Sequence, residues 1–204
     1  MFSPLLNQLA NAFSVIPGIG HKTALRIACY LMNNDVNKEK AQFLHHSLQV
    51  CLHQLQKCRM CQMINDHEVC TICQDTQRQD QLCVVDNIYD LMNIENLQVY
   101  RGRYFILYGC ISPIEGIGPQ ELNFPILEGI LRKKACPELI LALPISHMGL
   151  VTQKMIVELA QPYVAQITTL RCGIPFGSDI EHLDQNTLIY AFKERTHIGD
   201  TPHA

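Results

Sequence analysis

The chain has 204 residues, 48% hydrophobic and 17% charged, which suits one large domain or two to three small ones and excludes a disordered chain. No stretch approaches the roughly 18 apolar residues of a membrane helix. No Lys or Arg precedes Lys22, so a secretory signal is not expected and we expect a cytoplasmic protein. The net charge of −3 excludes a global basic signature.

The N-terminal 57 residues nevertheless carry a local excess of positive charge, with five Lys or Arg against two acids. The binding of an anionic polymer would therefore be favoured at this N-terminal segment. Two helices are predicted there, at about 5–16 and 22–32, joined by Pro17-Gly18-Ile19-Gly20. A third, amphipathic segment follows at about 37–56, and its apolar residues are Ala41, Phe43, Leu44, Leu48, Cys51, Leu52 and Leu55.

The turn between the first two helices has the features of a phosphate-binding bend. Gly18 and Gly20 permit positive φ and close backbone approach, and the amides that open the second helix can face a phosphate. Lys22 and Arg26, four residues apart, lie on one face of that helix. This pattern is typical of a helix-hairpin-helix, which grips duplex backbone without reading bases. The alternative is a plain α-hairpin with a glycine turn.

Four cysteines crowd into 16 residues with the spacing Cys58-x2-Cys61-x8-Cys70-x2-Cys73. Each Cys-x-x-Cys pair can aim two sulfurs at one point, so two pairs close a tetrahedral thiolate site. Four soft ligands favour zinc and leave no open position for chemistry, so one structural Zn²⁺ per chain is expected. The alternative is four free thiols, some of them paired by oxidation. A polar connector follows, at residues 74–81.

From residue 82 onward, short continuous apolar runs replace the helical pattern, as is typical of strands covered on both faces. Strands are predicted at 82–85, 104–108, 139–143 and 166–170. Helices are predicted at about 88–97, 124–134, 151–160 and, after a Gly/Pro loop, 184–195. The alternation of strands and helices predicts a parallel α/β sheet.

Asp86 directly follows the first of these strands, at the edge where an open α/β sheet places its ligands. A carboxylate there could hold a divalent metal for phosphoryl transfer, but such chemistry needs several acids together. No Asp or Glu occurs from residue 139 to 157. We therefore expect Asp86 to be a solvated or helix-capping residue. No Gly-Lys dipeptide is present, so a P-loop is absent and ATP hydrolysis is not expected.

Taken in order, these features resemble the RecR family of bacterial recombination proteins over nearly the whole chain. The resemblance is carried by Ile16-Pro17-Gly18-Ile19-Gly20 with Lys22, Ala24 and Arg26, the four-cysteine spacing, Cys83-Val84-Val85, Gly102-Arg103-Tyr104-Phe105, residues 111–118, and Gly173-Ile174-Pro175-Phe176-Gly177 through Asp184. The order of the hairpin, the four-cysteine segment and the α/β unit is specific for this family, whereas any one of these parts alone would not identify it.

The resemblance implies a multi-domain α/β protein. Its parts are a helix-hairpin-helix at 1–57, a four-cysteine zinc finger at 58–73, a Toprim-like parallel α/β domain at 81–176, and a short C-terminal helical segment at 177–204, similar to a Walker B region and used in oligomerisation. By this similarity, Lys22 and Arg26 match DNA-contacting positions. The four cysteines match the zinc ligands.

The resemblance also implies a non-enzymatic clamp in recombinational DNA repair. Family members form ring-like oligomers around DNA, here expected to be a dimer to tetramer, and act with RecO and RecF. Together they load recombinase onto gapped DNA coated by single-strand-binding protein. Three departures mark a divergent member: Asp86 replaces a Glu, residues 145–150 lack the acids of relatives, and His21 replaces a Pro.

Two other function classes remain open at this point. A Toprim enzyme, either a metal-dependent nuclease or a primase-like nucleotidyl transferase, would need acids clustered with Asp86. A protein-only adaptor would use the zinc finger and the hairpin for folding alone, and would show no salt-sensitive DNA binding in any oligomeric state.

Overall fold

The computed structural model describes residues 3–133, 136–170, 174 and 177–193. The chain divides into two compact units, residues 1–56 and the remainder from Lys57. The helices are α1 Pro4–Ser14, α2 His21–Met32, α3 Asp35–Gln54, α4 Thr71–Gln74, α5 Ile88–Leu97, α6 Phe124–Lys133, α7 His147–Ala160 and α8 Gln185–Lys193. The strands are β1 Gln56–Lys57, β2 Ile64–Asn65, β3 Leu82–Val85, β4 Arg103–Ile106, β5 Cys136–Ala142 and β6 Val164–Thr169. Single 3₁₀ turns occur at Pro113–Glu115 and Ile180–His182.

In the first unit, α1 and α2 pack closely because their contact is made of small side chains. Ala10, Ala24 and Ala28 are fully buried there. Larger residues flank them, namely Leu6, Leu9, Phe13, Ile19 and Leu25. The two predicted helices are thus confirmed, and they pack against each other on either side of the glycine turn.

The third helix of this unit has an exposed apolar face. The amide of Asn37 donates to the side-chain oxygen of Asn34, which caps the start of α3. Among the residues of α3, only Asn37 is buried, whereas Leu48 is 56% and Leu52 is 82% exposed, one turn apart on the apolar face. The predicted amphipathic segment is confirmed as a helix, but its apolar face covers no core within the described residues.

The second unit is built on a four-stranded parallel sheet with the order β4-β3-β5-β6. All four residues of the central strand β3 are buried, with Val84 opposite Phe105 in β4 and Leu141 in β5. Val84 belongs to the larger core, to which α6 and α7 also contribute. Val85 belongs to a second core with residues of α5. The predicted parallel α/β architecture is confirmed.

Most element boundaries fall within a few residues of the predictions, and the differences have local causes. β3 and α5 match to the residue. The helix predicted from residue 151 begins at His147, because Ser146 caps it. β6 is partly exposed along its length, as an edge strand would be.

Parts of the C-terminal prediction lie outside the described residues. These are Gly173, Pro175 and Phe176 of the Gly/Pro loop and everything after Lys193. Among the helices that the structure does describe, none combines the length and the apolar character needed to cross a bilayer.

Candidate nucleic-acid interface and metal centre

The bend between α1 and α2 is a tight turn on the surface of the first unit. The amide of Ile19 donates to the carbonyl of Ile16 at 3.0 Å, which closes a four-residue turn. Pro17 and Gly18 occupy its two central positions, and Gly18 has a φ of +83°. This is the geometry of a type II turn, which needs glycine at the third position. Pro17, Gly18 and Gly20 are all exposed.

The start of α2 presents free backbone amides next to this turn. Gly20 is the N-cap residue, and in the described chain no side chain caps the helix and no acid lies in its first turn. The first amides of a helix have no intrahelical partner. A Cβ built on Gly18 or on Gly20 would meet nothing within 4 Å. Internal packing therefore does not demand these glycines, and an external group can approach the backbone closely.

Two cations flank the free amides. Lys22 and Arg26 are exposed and stand one turn apart on α2. Neither makes an ion pair with any described residue, unlike Lys38, whose ammonium lies 3.0 Å from Asp35. The structure thus brings together all four residues predicted for this site, Gly18 and Gly20 included. The amides, the positive end of the helix dipole and two unpaired cations make a site that favours an anion.

The four cysteines predicted as ligands form a buried cluster in the second unit. Cys58, Cys61, Cys70 and Cys73 have their sulfurs within 4.8 Å of one another. The first pair lies on the turn after β1, and the second is set by α4, which begins directly after Cys70. Four sulfurs placed about 2.3 Å from a shared centre would stand about 3.8 Å apart. The cluster fits a four-coordinate metal ion.

The sulfurs of the cluster lie close enough to share hydrogen bonds, and these bonds shift the pKa values of the thiols. Sγ of Cys61 lies 3.4 Å from Sγ of Cys70, and the backbone amide of Cys70 donates to Sγ of Cys58. Hydrogen bonds from Cys61 and then Cys73 hold the pKa of Cys70 well below its usual range. The shared hydrogen bond with Cys70 raises the pKa of Cys61. A metal ion would replace these shared protons and let all four sulfurs ionise.

Asp86 lies at the carboxyl end of β3, but it is not a helix cap. That part of the expectation is wrong, because the side chain of Asn87 accepts from the amide of Asp90 and caps α5. Asp86 is half-buried and lines an open cleft of about 520 Å³. Asp90 lines the same cleft. Burial and, second, the charge of Asp86 raise the pKa of Asp90.

Asp90 is a cleft residue that was not predicted from the sequence. Its signal was the four-residue spacing from Asp86 at the start of a helix. The opposite wall is formed by Leu143, Pro144 and Ile145 and carries no acid among the described residues. The cleft therefore holds a pair of carboxylates on one side and apolar groups on the other.

The acid-free loop of residues 144–150 has a structural role in starting α7. Ser146 accepts from the amide of Gly149 at 3.1 Å. A Cβ on Gly149 would stand 1.9 Å from the carbonyl oxygen of Pro144. Only glycine fits this close approach, so this loop is specified by packing and capping.

The comparisons with known proteins agree with this geometry. The family model described as RecR, helix-hairpin-helix, matches residues 6–52, which contain the bend. A Toprim domain model matches residues 80–171, which contain the sheet and the cleft. A RecR C-terminal model matches residues 173–196.

Curated relatives match nearly the full length of the chain. Recombination protein RecR of Francisella tularensis is 37% identical over 199 residues in subspecies novicida strain U112, subspecies tularensis strain WY96-3418 and subspecies holarctica strain OSU18. Each match covers 97% of this chain and 98% of the relative. The chain therefore belongs to the RecR family of recombination proteins, and its role lies in recombinational DNA repair.

Proposed function

We propose that this protein is a non-enzymatic clamp that binds the backbone of duplex or gapped DNA through the α1–α2 bend. It acts with RecO and RecF to help load recombinase at gaps. The observation that carries the proposal is the exposed bend, where the free amides after Gly20 stand beside Lys22 and Arg26. These groups recognise phosphate rather than base edges, so binding is independent of sequence.

A single bend makes too few contacts for tight binding. Each phosphate contact adds a modest, salt-sensitive increment of affinity, and this protein has a net charge of −3. Joining several bends in one assembly raises avidity by on the order of 10²–10⁴ without new contacts. The clamp therefore works as a homo-oligomer, a dimer to tetramer.

The exposed apolar face of α3 supports this oligomer. Leu48 and Leu52, one turn apart, are more than half exposed on it. Exposed apolar patches on a folded protein mark surfaces that bind other proteins. We propose that this face is covered by a second copy of the chain, and that replacing Leu48 and Leu52 with Lys lowers the oligomer mass.

The metal of the cysteine cluster is zinc, with one ion per chain and a structural role. Four thiolates in a closed set favour zinc and leave no position for substrate. The cluster holds together a segment too short for its own core, so metal binding contributes folding energy. The domain organisation we propose is accordingly a hairpin region at 1–57, a zinc finger at 58–73, a Toprim domain at 81–176 and a C-terminal segment at 177–204.

A Toprim enzyme is a second candidate, and the Asp86–Asp90 pair is the observation that favours it. Two carboxylates in one cleft can hold a divalent cation. Magnesium-dependent strand cleavage or nucleotidyl transfer that disappears in Asp86→Asn and in Asp90→Asn would establish the enzyme. A pure preparation without such activity, which still binds DNA, supports the clamp.

The decisive test of the clamp is the double variant Lys22→Ala plus Arg26→Ala. We expect it to lose duplex binding in fluorescence anisotropy while zinc content and oligomer mass stay unchanged. Lys38→Ala is the matched control, because Lys38 is already paired with Asp35 in the same unit. Undiminished binding by the double variant would eliminate the hairpin as the DNA contact. Binding to purified RecO and RecF tests the partner assignment separately.

A further inference from the structure

A third cation is held beside the proposed DNA-contacting face of α2. The ammonium of Lys40, in α3, donates to the hydroxyl of Tyr30 at 2.8 Å and to the side-chain oxygen of Asn37 at 3.3 Å. Asn37 is 6% exposed, and its side-chain amide donates to the backbone carbonyl of Tyr30 at 2.8 Å. A buried amide and a tyrosine hydroxyl thus hold the exposed head of Lys40 in one place.

Tyr30 places this ammonium in line with the two cations of the bend. Lys22, Arg26 and Tyr30 follow one another at four-residue steps, so they stand above one another on one face of α2. Eight residues of helix span about 12 Å. Phosphates of one strand are about 3.4 Å apart along the duplex axis, so a row of this length can follow about three of them.

Lys40 differs from Lys38 in that no acidic side chain among the described residues pairs with its charge. Lys38 is paired with Asp35 at 3.0 Å. Lys40 has only neutral partners among the described residues, so its full charge is available to an anion. Its ammonium has three donors and uses two of them within the unit. The third is free.

We propose that Lys40, positioned by Tyr30 and Asn37, is a further contact to the phosphate backbone that extends the grip of the bend along α2. This inference rests on the proposed function. The ligand is the sugar-phosphate backbone of duplex DNA, with no preference among bases. The hydrogen bonds to Tyr30 and Asn37 hold the long lysine side chain in advance, which lowers the entropy lost when it binds.

The test compares Lys40→Gln with Lys38→Gln in the full-length protein. Affinity for a labelled duplex oligonucleotide is measured by anisotropy from about 50 to 200 mM salt, where the log–log slope falls by about 0.9 for each phosphate contact removed. We expect Lys40→Gln to lower the slope by about 0.9 for each protomer on the DNA, and each lost contact makes the loss of affinity over this fourfold salt range about 3.5-fold smaller. We expect Lys38→Gln to keep the wild-type slope.

A third variant tests whether Lys40 contacts DNA or only links α2 and α3 through its hydrogen bond to Tyr30. Tyr30→Phe removes the hydroxyl but keeps every cation, so the slope should stay at the wild-type value while affinity falls less than in Lys40→Gln. If Lys40→Gln binds with the wild-type slope, or if Lys38→Gln changes it equally, the inference is wrong. If instead the Lys22→Ala, Arg26→Ala double variant binds as wild type does, the proposed function itself fails.

Discussion

The backbone amide of Ile106 donates a hydrogen bond of 2.9 Å to the carbonyl of Cys61. Ile106 ends β4, the edge strand of the parallel sheet, and Cys61 belongs to the first pair of the cysteine cluster. The hydroxyl of Tyr108 also donates to the carbonyl of Gln62, the next residue, at 3.0 Å. The turn that carries two of the four clustered cysteines therefore covers the open edge of the sheet.

Removal of the metal should consequently loosen β4 as well as the cysteine segment. The turn loses its fixed position when the four sulfurs are no longer held together, so the amide of Ile106 loses its partner, at a cost of about 1–3 kcal/mol. Hydrogen exchange after chelation should show faster exchange at Ile106, with α1 and α2 unchanged. Cys29→Ser, at an exposed cysteine of α2, is the control that should keep both the metal and the protection. Unchanged protection of β4 in the metal-free protein would refute this coupling.

The pair of Arg78 and Glu95 makes stability depend on pH. Arg78 hydrogen-bonds both carboxylate oxygens of Glu95, and Tyr104 donates to one of them at 2.9 Å. The hydrogen bonds from Arg78 hold the pKa of Glu95 below its usual range. Its stabilising effect is therefore present above the unfolded-state pKa of about 4.3 and is lost as the pH falls through the lower folded-state pKa.

Glu95→Gln should thus lower the free energy of unfolding by about 1–3 kcal/mol near neutral pH. The difference from wild type should shrink as the pH falls below about 4.3 and through the lower folded-state pKa of Glu95, below which both proteins carry a neutral side chain at this position. Urea unfolding of both proteins at several pH values measures this difference in the free energy of unfolding. Glu128→Gln, in the exposed pair with Arg132, should have a much smaller effect. If the difference in the free energy of unfolding stays constant as the pH is lowered, the charge of the Glu95 carboxylate is not responsible for it.

Two glycines of the Toprim domain should respond oppositely to alanine. Gly149→Ala should destabilise the protein by about 1–3 kcal/mol, since its Cβ would lie 1.9 Å from the carbonyl oxygen of Pro144. Gly129→Ala, inside α6, meets nothing within 4 Å and should stabilise by about 0.5–1 kcal/mol through helix propensity. The melting temperatures of the two variants, compared with that of the wild type, measure these opposite changes in stability. Equal effects would show that α7 does not need this close approach.

The two glycines of the bend should separate folding from DNA binding. Gly18→Ala is strained by the φ of +83° and should cost about 1–2 kcal/mol. Gly20 has a φ of −75°, so Gly20→Ala should cost only about 0.5 kcal/mol as a poorer N-cap. Its methyl group would nevertheless stand where a phosphate approaches the amides, so duplex affinity should fall several-fold. Wild-type affinity of Gly20→Ala would contradict a close backbone approach.

Local signals explain why much of the fold was predictable. β3 is a continuous apolar run, and the helix-like segment of α5 follows it closely, so the observed bounds of both agree with the predicted ones. The spacing of the four cysteines predicted a cluster that the structure confirms. In each case the deciding residues lie within one short segment.

Features that depend on contacts between distant segments were not visible in the sequence. β5 starts at Cys136, before its predicted start, because Cys136 and Glu138 pair with β6, which is distant in sequence. The apolar residues of α3 suggested an ordinary amphipathic helix, and no pattern revealed that this face stays exposed. The spacing of Asp90 from Asp86 was visible, but the cleft that both line is completed by residues 142–145 and 170, which are distant in sequence.

The most direct test of the clamp measures oligomer mass and duplex affinity together across a salt series on the wild-type protein. Analytical ultracentrifugation with a labelled duplex reports both. The account predicts a multimer whose log affinity falls linearly with log salt, by about 0.9 for each phosphate contact in the assembly. A monomer that does not bind DNA, or a complex whose affinity does not change with salt, would contradict it.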